Sequence, residues 1–575
     1  MRPHWFPLSI VALLGLTLPQ LAPAADTPAR PNVLFIAVDD LKPRIGCYGD
    51  PLAKTPNIDR LAARGMVFTR AYCMQAVCSP SRNAILTGLR PQTLRIYDLG
   101  TNFRKSVPDV VTLPQHFKNH GYKTEAMGKL FHVGHGNHED PASWSVPHWQ
   151  AKSIGYALPE NKAEVTREEA LFENKNLRPE QLPRGAAVEA ADVPDDAYGD
   201  GKLANEAVTR LKVAAKTPDQ PFFIAVGFLK PHLPFCAPQK YWDLHDPAKL
   251  SQPTRLTPPE GAPAFAPQSG GELRNYANMP KTGPIDEATT RRLIHGYYAA
   301  ASYMDAQLGK VLDALDETGL AKNTIIVFWG DHGWHLGDHG IWCKHTNYEQ
   351  ATRAPLIVVA PQHKEGVRSS TKAIAEFVDV YPTLCDLTGL EKPAHLQGDS
   401  LVPLLGGTTT TPAHEVAFQV YPRSDKDHGP MLGQAVRTDR WRYVEWQKRE
   451  GGAIVARELY DMESDPDETV NIADKPEQAD VVARHSKLIA DQLAMPHPAG
   501  LKVLPMGAGA TPAKPKQDRA AMFRGRDKNG DGKLTREEFL ANQPDPDQAP
   551  ARFPRFDTNG DGVLSEEEFV KAGKP

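Results

Sequence analysis

The sequence predicts an α/β protein, a sheet flanked by helices. Three observations carry that expectation. First, four short apolar runs have the length of buried strands: Asn32 to Val38 (N-V-L-F-I-A-V), Pro221 to Phe228, Thr324 to Phe328 and Leu356 to Ala360. Continuous rather than alternating apolar character marks strands covered on both faces, as in parallel sheets. Second, helical patterns lie between these runs. In Leu293 to Leu315, residues Ile294, Tyr297, Ala301, Leu308, Val311, Leu312 and Leu315 fall near helical spacing, and such alternation packs helices on a sheet. Third, two runs end in acids: Val38 leads into Asp39-Asp40, and Phe328 leads through Trp329-Gly330 into Asp331-His332-Gly333. Open α/β sheets bind ligands outside the carboxyl ends of their strands.

The remaining elements follow along the chain. Residues 1–24 have the three parts of a secretory signal: Arg2, an apolar run from Leu8 to Leu18, and Ala22-Pro23-Ala24 before a cleavage site. The run is too short to span a bilayer. The expected address is secreted or periplasmic, with no membrane span after signal removal. A catalytic domain is expected over 30–412. Within it, residues 134 to 190 and 250 to 286 lack periodicity and read as surface excursions, the kind of loop that often builds a pocket. Over 413–500 the pattern changes to a small antiparallel subdomain. Val416 to Tyr421, Gln434 to Trp446 and Glu458 to Tyr460 read as its strands, and Glu477 to Leu493 as a helix. Residues 501–517 read as a linker, with Met506 to Lys516 rich in Gly, Ala, Pro and Lys. The formal charge, 66 − 70 = −4, offers no basic field for nucleic acid. Six cysteines (Cys47, Cys73, Cys78, Cys236, Cys343, Cys385) are too sparse and irregular for a disulfide scaffold.

The tail, 518–575, is an internal repeat. D-K-N-G-D-G-K-L-T-R-E-E runs from Asp527 to Glu538 and D-T-N-G-D-G-V-L-S-E-E-E from Asp557 to Glu568. Side-chain oxygens stand at loop positions 1, 3, 5, 9 and 12 with Gly at 6, the EF-hand pattern. The ligands are Asp527, Asn529, Asp531, Thr535 and Glu538, then Asp557, Asn559, Asp561, Ser565 and Glu568. Lys533 and Val563 occupy position 7, where a backbone carbonyl serves. Ca²⁺ takes about 6–8 oxygens, and the Gly permits the sharp turn. Phe523 and Phe553 precede the loops, and Phe539 and Phe569 follow them. An all-α pair of hands binding two Ca²⁺ ions is expected. A dockerin module, which usually closes its loops with Asp, is the alternative.

Cys78 opens A-V-C-S-P-S-R-N-A-I-L-T-G (76–88). Pro80 suits a first helical turn and Gly88 a helix end. The free amides and positive dipole end at Cys78 therefore suit an oxyanion, with Arg82 one turn on. Asp39, Asp40, Asp331 and His332 at two strand ends make a plausible hard-cation site. Each pair alone could equally cap a turn, and a lone cysteine is more often a small buried thiol.

Together these pieces resemble the type I sulfatases of the alkaline phosphatase superfamily. The resemblance spans roughly Arg30 to Ala494. It rests on C-S-P-S-R…L-T-G (78–88), V-D-D-L-K-P-R-I-G-C-Y-G-D (38–50), G-K-L-F-H (128–132), K-P-H-L-P-F (230–235), S-Y-M-D (302–305), G-D-H-G-W-H-L-G-D-H-G-I-W-C-K (330–344) and E-L-Y-D-M-E-S-D-P (458–466). I-Y-D (96–98) and the G-W-H-L-G-D-H-G run are most like the iduronate-2-sulfatase branch. The resemblance implies the alkaline-phosphatase-like sulfatase fold, with a large mixed sheet. It implies that Cys78 is oxidised to Cα-formylglycine by a formylglycine-generating maturation enzyme. It implies one divalent cation, usually Ca²⁺, on Asp39, Asp40, Asp331, His332 and the modified residue 78. His332 replaces the Asn of many sulfatases, and a nitrogen ligand is unusual for calcium.

The same resemblance assigns roles to side chains. Arg82 would hold the modified residue, flanked by Lys129 and His132, while His232 and Lys344 would contact the sulfate and the leaving oxygen. An aldehyde hydrate would attack sulfur to give a sulfo-enzyme, and its second hydroxyl, deprotonated by His132, would expel sulfate. Arg95, Asp98, Trp334 and His335 are candidate substrate contacts or packing residues. The implied activity is hydrolysis of sulfate esters, with a sulfated saccharide as substrate. Two alternatives stand beside it: a phosphonate or phosphodiester hydrolase of the same superfamily, and a non-catalytic calcium-binding scaffold.

Overall fold

Successive residues of the first strand feed opposite cores. Val33, Phe35 and Ala37 point into one, and Leu34, Ile36 and Val38 into the other. That two-sided burial is why the run carries no polar alternation, and each of the larger side chains, Ala37 apart, contributes about 1.5–3 kcal/mol of apolar burial. The computed structural model describes residues 30–151, 155–161, 184–268, 270–361, 370–406, 414–504, 519–540, 553–554 and 556–571. The expected signal peptide and the stretch Met506 to Lys516 lie outside the described residues. The chain divides into two compact units, Met1–Val503 and Leu504–Pro575.

The first unit is built on a seven-stranded sheet. Its strands are β1 (Asn32–Val38), β2 (Met66–Tyr72), β3 (Lys123–Gly128), β4 (Phe222–Phe228), β5 (Thr324–Gly330), β6 (Leu356–Val359) and β7 (Ser370–Glu376). Their spatial order is β7-β2-β6-β5-β1-β4-β3. β1 runs parallel to both β4 and β5, with Val38 level with Phe228 and Gly330. β6 runs antiparallel to β5 and β2, which makes the sheet mixed. The apolar run at 356–360 resembles the parallel strands because composition reports burial on both faces, and burial does not set direction. Helices α1 (Cys78–Thr87) and α4 (Val380–Thr388) cover one face; α2 (Gly199–Ala214) and α3 (Glu287–Glu317) cover the other.

A four-stranded antiparallel meander follows: β8 (Ala417–Asp425), β9 (Gly429–Arg437), β10 (Trp441–Lys448) and β11 (Ile454–Asp461). The run Gln434 to Trp446 is not one strand. It breaks at Thr438–Arg440, where the Thr438 N–H donates to Trp441 O at 2.9 Å, and Thr438-Asp439 is ordinary turn chemistry. Helix α5 (Ala479–Ala494) lays Ile489 on Val436, Tyr443 and Leu459. No helix among the described residues is long and apolar enough to cross a membrane.

In the second unit, helix segments Arg519–Arg526, Arg536–Leu540 and Glu566–Lys571 flank two loops. The loops join through a short antiparallel ribbon, Lys533–Thr535 with Val563–Ser565. Phe523, Phe539, Phe553 and Phe569 form one core with Leu534 and Leu564. The Asp527 carboxylate accepts from the N–H groups of Gly530 (2.7 Å), Asp531 (3.2 Å) and Gly532 (2.8 Å). Asp557 does the same in the second loop. Glu538 and Glu568 fold back onto their own loops through Lys528 and Thr535, and through Thr558 and Ser565. Each loop is thus wound with its acids turned inward, an arrangement that fits a calcium ion.

Candidate active site

Strand register brings the acids together. β1 and β5 end level, so Asp39-Asp40 and Asp331-His332 leave the sheet side by side. The Asp331 N–H donates to Val38 O (3.0 Å), and the Asp40 N–H to Asp331 Oδ1 (2.9 Å). Asp40 takes a left-handed backbone (φ 59), a costly conformation for a non-glycine residue. It is held there by Asp331 and by the Tyr297 hydroxyl, which donates to Asp40 O at 2.8 Å. Gly333 lets this loop pass close to its neighbours, since a Cβ there would meet Gln350 O at 2.2 Å.

Asp40 Oδ1 and Asp331 Oδ1 lie 3.4 and 3.6 Å from His332 Nε2, and Cys78 Sγ lies 3.4 Å from the same nitrogen. His332 Nδ1 faces Gly333 O at 3.0 Å. That contact assigns the proton to Nδ1 and leaves Nε2 a lone pair. Two carboxylate oxygens and a lone-pair nitrogen then converge in a fully buried place, and such a set is stable only around a positive charge. The residues fit a divalent cation.

Cys78 begins α1, every residue of which is buried. No side chain caps its N-terminus, and Gly88 ends it with φ 69. Burial, followed by the charge of Asp39, pushes the Cys78 thiol well above its usual range. As encoded it is therefore a protonated thiol, a weak nucleophile. Arg82 is fully buried and turned beneath the acids. Its Nε donates to Asp331 Oδ2 (2.9 Å), its Nη2 to Asp39 Oδ1 (3.2 Å) and its Nη1 to Leu130 O (3.2 Å). Its hydrogen bonds thus go to these acids and to backbone, not to residue 78, because two buried carboxylates need a counter-charge.

Lys129 pairs with Asp39. Burial opposes the Asp39 charge, yet Lys129, His232 and Arg82 hold its carboxyl well below the usual range. Lys344 Nζ donates to Asp40 Oδ1 and Oδ2 at 3.0 and 3.1 Å. His132 is buried, with neither ring nitrogen hydrogen-bonded. Burial and then Lys129 hold it well below its usual pKa, so the ring is neutral. Asp200 fixes the loop carrying His232 by accepting from the N–H groups of Leu229 (2.9 Å) and Lys230 (2.8 Å). Cys78, Lys129, His132, His232 and Lys344 all line one cavity of about 870 Å³.

The four candidate substrate contacts divide. Asp98 is exposed beside a second recess of about 590 Å³ that shares Leu99, His135 and His345 with the main cavity. Its carboxylate is engaged by the N–H groups of Gly100 and Thr101. Arg95 is half-buried and is not among the residues lining either cavity. Trp334 and His335 are fully buried and line neither. Trp334 lies under Lys344 Nζ at 4.9 Å, and His335 Nε2 pairs with Thr346 Oγ1 at 2.9 Å. Both are placed as support behind the cavity, not as contacts within it. Sequence reasoning missed Glu272, which lines the cavity, and the role of Tyr297 in holding Asp40. Glu272 stands in an aperiodic stretch, and its only signal was that such excursions build pockets.

Residues 31–390 match the Sulfatase family, and residues 337–494 the C-terminal region of N-sulphoglucosamine sulphohydrolase. The chain belongs to the sulfatase family. Sulfatases are sulfuric ester hydrolases, and so is this chain. It is 34% identical to mouse iduronate 2-sulfatase, over 82% of this chain and 96% of the relative. It is 29% identical to choline-sulfatase of Rhizobium meliloti, over 78% and 84%. A structure solved with its substrate D-glucosamine-2-N,6-O-disulfate superposes at TM-score 0.62, 24% identity, over 80% of this chain and 97% of that one. The phosphonate monoester hydrolase of Agrobacterium radiobacter gives TM-score 0.62, 24% identity, over 81% and 96%. Residues 520–541 and 551–572 match EF hands. The six cysteines, all among the described residues, form no disulfide with one another.

Proposed function

We propose that this sulfatase hydrolyses sulfate esters of a saccharide through formylglycine made from Cys78. The observation that carries the reading is the placing of Cys78. It stands at an uncapped helix N-terminus, opens into the cavity, and touches a buried knot of acceptors ringed by lysines and histidines. Similarity to iduronate 2-sulfatases points to a sulfated uronic acid of a glycosaminoglycan, and the 870 Å³ cavity suits a sugar unit. The signal-like N-terminus supports export to a secreted or periplasmic address.

Asp39, Asp40, Asp331 and His332 would hold the cation, Ca²⁺ by resemblance, which when bound supplies charge stabilisation to an oxyanion at residue 78. Formylglycine at 78 would supply a hydrated aldehyde as nucleophile, made by a dedicated maturation enzyme. Arg82 keeps Asp39 and Asp331 in place. Lys129 and Lys344 set positive charge where the transferring group is negative. His232 Nε2 and Lys344 Nζ face the cavity as donors to the leaving oxygen. His132, neutral and without a partner, takes a proton at a ring nitrogen when sulfate departs. The EF-hand pair binds two calcium ions apart from this chemistry.

The test uses protein matured in its native host. An aryl sulfate should turn over faster than the matching aryl phosphate, and sulfated uronic oligosaccharides should release sulfate. Phosphate clearly preferred would favour the phosphonate hydrolase reading, which shares this fold. Mass spectrometry of the peptide containing residue 78 should show loss of sulfur, and an intact thiol throughout would rule the mechanism out.

A further inference from the structure

Glu272 lies at the start of a short turn, Leu273–Asn275, anchored by buried Leu273 and Tyr276. Its carboxylate lines the catalytic cavity. Oε1 lies 3.2 Å from His232 Nε2, and Oε2 lies 3.0 Å from Lys344 Nζ. His232 and Lys344 come from separate segments, and this one side chain ties them together. We propose that Glu272 is a positioning residue that sets the spacing and aim of the two donors to the leaving oxygen. The proposal rests on the sulfatase reading and on the roles given to His232 and Lys344.

Donor counting supports it. Lys344 has three N–H groups. Asp40 Oδ1 and Oδ2 hold Nζ from one side at 3.0 and 3.1 Å and Glu272 Oε2 holds it from another at 3.0 Å, so the two carboxylates together fix how the ammonium is turned. His232 turns Nδ1 to Leu233 O, so Nε2 is its only nitrogen facing the cavity; it donates there, to Glu272 Oε1 at 3.2 Å, only as the imidazolium, in which both nitrogens carry protons. As substrate seats, that hydrogen bond passes to the leaving oxygen while Glu272 keeps Lys344. The Lys344 segment is itself strained. Cys343 and His345 on either side have φ of 73 and 65, left-handed values that cost energy in non-glycine residues and recur where a side chain must be aimed. Glu272 is also not among the groups that converge with Asp39 and Asp40 as a candidate cation set.

Glu272→Gln keeps the shape but replaces one acceptor oxygen by an amide NH₂, so it can serve only one donor. Glu272→Asp keeps both acceptors on a shorter arm. The experiment measures kcat and KM of matured full-length protein on aryl sulfates whose phenols span a range of acidity, together with a sulfated saccharide. General acid help is worth about 10²–10⁴-fold, and it matters most for poor leaving groups. Glu272→Gln should therefore lose about tenfold or more in kcat on the least acidic alcohol and under about threefold on the most acidic phenol, with KM little changed. Glu272→Asp should lie between Gln and wild type. If Glu272→Gln does not fold, a steeper dependence in the Asp variant carries the proposal. A loss equal across the series, or no loss, overturns it. If wild type splits none of these esters, the sulfatase reading falls first and takes the proposal with it.

Discussion

Arg82 shows what a single residue could and could not reveal in advance. Its place four residues after Cys78 was legible, as were Asp39, Asp40, Asp331 and His332, because strand ends and helix starts announce themselves in pattern. Its aim was not legible. Which way a guanidinium forks depends on acids 43 and 249 positions away, and no local pattern encodes such pairings. Glu272 was hidden for the same reason. The geometry makes Arg82 the sole side chain bridging Asp39 and Asp331 among the described residues. Arg82→Leu should therefore destabilise the metal-free protein by about 3–5 kcal/mol, the cost of stranding buried charges. Arg82→Lys should recover only part of this, since one ammonium cannot fork to two carboxylates. Urea unfolding followed by tryptophan fluorescence reads the first unit alone, because residues 504–575 contain no Trp. Added calcium should narrow the gap by supplying the missing charge. Equal stability of Arg82→Leu and wild type under chelation would show that the acids do not depend on it.

At the scale of elements, four of the seven strands of the central sheet (β1, β4, β5 and β6) and α3 were readable from apolar run length and spacing, whereas β2, β3 and β7, which mix polar and charged residues with apolar ones, were not. The direction of β6 and the break between β9 and β10 were not, since burial and composition are the same either way. Nor did any pattern show how the chain enters β8. There His414 Nε2 meets Asp379 Oδ2 at 2.9 Å, with Glu376 at 3.8 Å and, through Nδ1, Asp399 at 3.4 Å. Arg90 pairs with Glu376 behind them. Burial opposes the His414 charge, but Asp379 and Glu376 outweigh it and raise its pKa from 6.5 to about 9. The folded value lies above the unfolded one, so this clamp stabilises fully below pH 6.5 and is lost as pH rises through 9. After screening at a partly exposed site, about 1–2 kcal/mol is expected. His414→Gln should thus lower the melting temperature clearly at pH 6 and hardly at pH 9.5. A deficit that stays constant over that range would mean that packing, not charge, is what His414 supplies.

For the whole molecule, the division into Met1–Val503 and Leu504–Pro575 separates two kinds of cation chemistry. The first unit gathers its acceptors from β1, α1 and the end of β5, segments up to 293 residues apart, so its site exists only when the sheet is formed. The second draws each set from twelve consecutive residues, Asp527–Glu538 and Asp557–Glu568, and joins them by a ribbon and a phenylalanine core of its own. That contrast explains why the EF-hand pattern of the tail could be read from local sequence, whereas the catalytic site needed resemblance to assemble. It also sets an expectation. Each unit carries its own core, so removing the second should not disturb the first. Protein ending at Val503 should keep kcat/KM on an aryl sulfate within about twofold of full length, as expected of units that fold separately. It should also lose the high-affinity calcium sites seen by titration calorimetry in the full chain. Turnover abolished in a soluble, folded truncation would mean that the EF-hand pair takes part in catalysis, and the independence argued from the two cores would be wrong.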